Sequence, residues 1–114
     1  MAAESFGAAV LCDGDTTLVR VRGELDAVTV ATLEQRMAPL LTRGHGPVLL
    51  DLRELEFIDV AGLRLTLRLD GLAQLNGVRF ALVRGLPHVR RVFELTGMER
   101  FVPAVDDPRE LAPA

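Results

Sequence analysis

The run Glu56-Phe57-Ile58-Asp59-Val60-Ala61-Gly62-Leu63 sets an acid among small and apolar residues and a glycine. It stands where a strand-like run gives way to a helix-like one. A helix start just past a strand end is where α/β proteins place their ligand contacts. Two roles are open to this turn. The first N–H groups of a helix, at the positive end of its dipole, suit an anion or a phosphate-responsive recognition surface. Alternatively, Asp59 is an N-cap that satisfies those donors itself, and the spacing favours the cap. The turn holds no serine, threonine, cysteine or histidine, so covalent chemistry has no nucleophile there.

Asp26, after Gly23-Glu24-Leu25, poses the same choice. Asp26 and Asp59 on one rim would be able to ligate a metal or share a proton. No third acid or histidine stands at a fitting spacing, so two caps are expected and no metal. Asp51 lies inside the apolar run Val48-Leu49-Leu50-Asp51-Leu52 and is expected to be a buried, hydrogen-bonded carboxylate, not a catalytic one. His45, in a Gly-Pro loop, and His88, at a helix start, have no local nucleophile or second histidine and are expected at the surface. Ser5 is the only serine and Cys12 the only cysteine, so no intrachain disulfide is possible. Cys12 is expected as a small buried hydrophobe. No nucleophile elbow, phosphate-binding glycine loop or dinucleotide fingerprint occurs. The chain is expected to be no enzyme, without catalytic residues or cofactor.

The elements that must position these residues follow from periodicity and punctuation. Phe6 to Cys12 and Thr17 to Val21 flank the turn Asp13-Gly14-Asp15 and predict a β-hairpin. Asp26 then caps a helix whose apolar residues are Val30, Leu33, Met37, Leu40 and Leu41. Pro39 should kink it late. Arg43-Gly44 ends it, and Gly44 to Pro47 is a loop. Val48 to Leu52 is apolar almost throughout, which predicts a strand buried on both faces.

Leu63 to Asp70 alternates like a strand, yet a helix is predicted. Asp59 is a plausible cap, Ala and Leu are strong helix formers, and Asn76-Gly77 is a natural stop. Leu65, Leu69 and Leu72 form one stripe of that helix, with Leu63 and Leu67 nearly opposite. One set faces the sheet; the other is either an interface or covered by neighbouring helices. Val78 to Val83 is a strand, and Pro87 starts a short helix with Val89, Val92 and Phe93 inward and Thr96-Gly97 at its end. Phe101-Val102 is a small edge strand, and Asp107-Pro108 caps a last helical turn.

The order ββαβαβαβα predicts one α/β domain over residues 1–114. Its sheet is mixed and mostly parallel, with an N-terminal hairpin and about four helices. Residues 1–5 and 111–114 are expected to be loose termini. The chain of 114 residues, 49% hydrophobic, has enough apolar material for a core. Its net charge of -3 argues against direct nucleic-acid binding. No apolar run reaches the roughly 20 residues of a membrane span. The N-terminus lacks the charged-then-apolar pattern of a secretory signal, so a cytoplasmic location is expected.

Three segments together resemble the STAS domain of bacterial anti-sigma factor antagonists: Gly23-Glu24-Leu25-Asp26, Val48-Leu49-Leu50-Asp51-Leu52 and Phe57-Ile58-Asp59-Val60-Ala61-Gly62-Leu63. The tail Val89-Arg90-Arg91-Val92-Phe93-Glu94-Leu95-Thr96-Gly97-Met98 also fits, so the resemblance runs in order from about Val19 to Pro103. It implies a protein–protein interaction module in transcription regulation, bound by a kinase-like anti-sigma factor, and it allows a homodimer. In that family the partner phosphorylates a serine or threonine directly after the acid of the turn, which switches binding off. The matching position here is Val60, so the phosphoacceptor hydroxyl is absent. By the resemblance, Asp26, Asp59, Val60, Ala61, Gly62, Leu63, Arg64 and Leu65 make the partner-binding surface. The same fold also serves as an accessory subunit of membrane transport complexes, which is the alternative, with a small-ligand or nucleotide sensor as a third.

Overall fold

The computed structural model describes residues 6–43 and 46–111. Strands β1 (Gly7–Asp13) and β2 (Thr16–Leu25) form an antiparallel hairpin, and Gly14 takes the positive φ of +61° that its two-residue turn demands. Strands β3 (Val48–Ile58), β4 (Phe80–Val83) and β5 (Ala104–Val105) then add in parallel, in the order β1-β2-β3-β4-β5. The connections are α1 (Val30–Thr42), α2 (Val60–Leu75) and α3 (Pro87–Thr96).

Right-handed crossovers that always step in one direction keep their helices on one face of the sheet. The main core lies there. Val19, Leu50 and Leu82 of the strands meet Leu33 and Met37 of α1, Leu65 and Leu69 of α2 and Phe93 of α3. The other face has a smaller core of Leu49, Ala81 and Val83, covered by Leu18, Val105 and Leu111. β3 therefore buries both faces, as its apolar run predicts.

Several expectations need correction. Among the described residues there are three α-helices, not about four. The segment after Asp107 closes only as a four-residue 3-10 turn, Pro108–Leu111, and a second such turn is Met98–Arg100. Leu111 is no loose terminus, since it packs on the smaller core. The last strand is Ala104–Val105 and not Phe101-Val102. The Val102 N–H is bound to the Met98 carbonyl, and pairing resumes when the Pro103 carbonyl accepts from Leu82 N. β3 runs six residues past Leu52, to Ile58, because β2 continues beside it. β4 starts at Phe80, two residues later than expected. Cys12 is exposed, because β1 has a neighbour on one side only.

Other expectations stand. α1 runs through Pro39 to Thr42. Leu63 to Leu69 is helical, and Gly97 ends α3 in the left-handed conformation at φ 74°. Leu63 departs from the two-stripe scheme: it is buried together with Leu65 and Leu69, while Leu72 is half-buried and Leu67 is 41% exposed. Gly62 and Leu63 are seated against the strand ends, while Val60 at the start of the same turn stays exposed. Ser5, Gly44, His45 and the expected loose ends 1–5 and 112–114 lie outside the described residues.

Candidate recognition site

The site is built where β2 and β3 end together. Gly23 sits at φ +91°, a conformation costly for any residue with a side chain. The β2–β3 register shifts between Gly23 and Glu24. Such a bulge re-aims the strand that follows, and it brings Glu24 beside Phe57 and Leu25 beside Ile58. The chain then leaves both strands at one rim, with Asp26 on one side and Asp59 on the other.

Both acids act as caps. The Asp59 carboxylate accepts from Gly62 N at 3.1 Å, and its carbonyl accepts from Leu63 N at 2.9 Å. The Asp26 carboxylate accepts from Val28 N at 3.0 Å and Thr29 N at 3.2 Å. Asp26 differs from expectation in one respect. It caps the turn ahead of α1, and Thr29 holds the N-cap position without capping through its side chain. The Thr29 hydroxyl instead donates to the Glu24 carbonyl at 2.7 Å and ties the turn back to β2.

The two loops are fastened to each other. Asp59 N donates to the Leu25 carbonyl at 3.2 Å. Gly62 packs against the same carbonyl: a Cβ on it would lie 2.8 Å from Leu25 O and 2.6 Å from Ile58 Cγ1. Gly62→Ala would gain about 1 kcal/mol of helix propensity. The overlap with a backbone oxygen that cannot swing aside should cost more, about 1–3 kcal/mol. A net fall in melting temperature is the expected result. An unchanged or higher value would show that α2 is free to move off β2.

Fractional exposure sorts the expected surface. Val60 is 58% exposed and Arg64 is exposed; Asp26, Asp59 and Ala61 are half-buried. Gly62, Leu63 and Leu65 are buried and support the rim from below. Sequence reasoning missed two members. Val28 is 84% exposed in the turn after β2, and Phe57 is 46% exposed near the end of β3. Val28 had a signal: it falls out of step with the Val30, Leu33, Met37, Leu41 period. Phe57 had none, because one apolar residue in a strand points to neither face. Thr66, the nearest hydroxyl along α2, is fully buried and donates to the Leu63 carbonyl at 2.7 Å. His88 is exposed at the start of α3, and its Nε2 is hydrogen-bonded to the Glu56 carbonyl at 2.5 Å.

Asp51 lies away from this rim, on the face opposite the helices. It is fully buried and accepts from Arg53 Nε at 2.9 Å, Arg53 N at 3.0 Å and Arg20 Nε at 3.2 Å. Burial by itself pushes its carboxyl pKa up; the Arg53 and Arg20 hydrogen bonds outweigh that and hold it below the ordinary value. A lowered folded-state pKa contributes stability that is present above the unfolded value, about 3.9, and is lost as pH falls through the folded one. Urea titrations should therefore show wild type losing more stability below about pH 4 than Asp51→Asn does. Equal losses would exclude Asp51 from the acid transition.

The arrangement is a rigid rim with capped acids and an apolar, protruding helix start. Its backbone donors at Gly62, Val28 and Thr29 are already engaged by the two carboxylates. Residues 8–103 match the family described as Mlab, STAS domain, and the chain belongs to the STAS domain family. Within that family it is similar to anti-sigma factor antagonists. It is 36% identical over 95 residues, 82% of this chain and 80% of the other, to BtrV of Bordetella bronchiseptica, named as an anti-sigma factor antagonist. The crystal structure of an anti-sigma factor antagonist from Mycobacterium paratuberculosis matches with a TM-score of 0.84 at 25% identity, over 95% of this chain and 92% of that one. SpoIIAA of Bacillus in its phosphorylated form shares the fold, with a TM-score of 0.66 at 21% identity over 92% of this chain and 95% of that one. Among the described residues, no helix is long and apolar enough to cross a membrane.

Proposed function

We propose that the chain is an anti-sigma factor antagonist that binds a kinase-like anti-sigma protein through the Asp26–Asp59 rim, with the phospho-switch lost at Val60. The observation that carries this is Val60 itself, a 58% exposed apolar side chain at the first position of α2, directly after the capping acid. In SpoIIAA, a protein solved in unphosphorylated and phosphorylated forms, this fold carries a phosphate. A phosphate adds about -1.5 to -2 charge; valine at the helix start is unable to take on that charge. The contact surface is Asp26, Val28, Phe57, Asp59, Val60, Ala61 and Arg64, with Gly62, Leu63 and Leu65 beneath it. The module acts by occupying its partner and transforms no substrate. It acts in the cytoplasm, in transcription regulation.

Affinity capture from the native host with the tagged full chain, followed by mass spectrometry, tests this reading. A kinase-like anti-sigma protein held by wild type and lost in the Val60→Asp variant is the expected result. Recovery of transporter subunits in its place would replace this function with the accessory-subunit role.

A further inference from the structure

The two edges of the sheet are built differently. β5 is two residues long and lies between Pro103 and the run Asp106-Asp107-Pro108. Short length, proline and charge are the devices that keep an edge strand from pairing further. β1 lacks them. It runs seven residues without proline or register shift and carries no charge before Asp13. Alternate residues of an antiparallel strand turn their N–H and C=O groups away from the neighbour, so β1 offers a row of donors and acceptors to another strand. Val10, 40% exposed, and Leu11, 43% exposed, stand on its two faces.

We propose that β1 pairs antiparallel with β1 of a second copy of this chain, about a twofold axis at Val10, so that two sheets become one. The side chains choose this partner and this register. Residues opposite each other across a strand pair share a sheet face. Gly7, Ala9, Leu11 and Asp13 share the face of Arg22, Arg20, Leu18 and Thr16, away from the helices. With Val10 on the axis, Ala9 of one copy meets Leu11 of the other, small against large, and Asp13 meets Gly7. The space above Gly7 is taken by a guanidinium: a Cβ on Gly7 would lie 2.9 Å from Arg22 Cζ. Each copy therefore sets its Asp13 carboxylate against the other copy's Arg22, twice by symmetry. Moving the axis to Ala9 or Leu11 removes both ion pairs. Within one chain the two charges cannot meet, because Asp13 and the Gly7–Arg22 pair stand at opposite ends of β1, roughly 20 Å apart at about 3.3 Å per residue.

A single strand pair is a small interface, at the weak end of the size range. Sedimentation equilibrium on the full chain should give a dimer with a Kd in roughly the micromolar range. Asp13→Arg or Arg22→Asp alone should raise Kd at least about tenfold. The double variant D13R/R22D should return to within about threefold of wild type, because both pairs re-form with reversed sign. Ala9→Lys, at an exposed position, should give a monomer of unchanged melting temperature. A wild-type chain that stays monomeric at about 1 mM overturns the proposal. So does a dimer indifferent to both single reversals, or a double variant as weak as either single one.

Discussion

Val60→Asp should weaken binding to the proposed anti-sigma partner at least about tenfold, or about 1.4 kcal/mol, while the melting temperature stays near the wild-type value. The two effects separate because the position is exposed and sits at a helix start. An aspartate at the first helical position is favourable toward the dipole, by a few tenths to about 1 kcal/mol. Any folding loss from the missing valine methyls is small where Val60 is already 58% exposed. Docking is different. It strips water from a charge placed next to Asp59, and an uncompensated charge costs several kcal/mol to desolvate. Calorimetry with purified partner measures the first quantity and a thermal melt the second. Equal affinity for variant and wild type would move the interface off this rim.

The larger contrast is in phosphate transfer. Wild-type chain incubated with the proposed kinase partner and ATP should gain no phosphate between Phe57 and Leu67, by intact-mass and fragment mass spectrometry. Val60 and Ala61 have no hydroxyl. Thr66 has one, but it is fully buried, it is spent on the Leu63 carbonyl, and it lies inside α2. Transfer needs an acceptor oxygen about 3–3.5 Å from the reacting phosphorus and aligned with it. Reaching that geometry at Thr66 would mean unwinding the start of α2, together with the Asp59 cap and the Gly62 contact. Val60→Ser puts a hydroxyl on the exposed first position and should be phosphorylated stoichiometrically. Its binding should then fall, because the phosphate stands beside Asp59. Phosphate on wild-type Thr66 would show that the switch was moved and not lost.

The β-α alternation, the hairpin and the helix after Asp59 were legible because each is written in local signals: turn residues, caps and stops. The strand order was not legible, since alternation leaves the direction of each crossover open. Leu63 and Leu65 show the limit at the site. Periodicity tells which residues share a helix face but not how deep that helix start is seated. Depth here is set by Gly62 against the Leu25 carbonyl, a contact between segments 37 residues apart in the chain. Val28 and Phe57 belong to the rim for the same reason, since only the β2–β3 register brings the turn after β2 beside the end of β3. Asp51 was legible because a carboxylate in an apolar strand must find partners.

The strands pair in the order in which they occur along the chain, β1 to β5. A chain leaving the ribosome from its N-terminus therefore never holds a strand that must wait for a later one to be inserted beside it. This order lets the hairpin close first, β3 join a β2 already paired, and each βα unit add to a formed edge. Vectorial synthesis and the architecture run the same way. Folding in that order would bury the growing edge at each step with the next segment to emerge, and would shorten the time that apolar strands such as Val48-Leu49-Leu50 spend open to neighbouring chains.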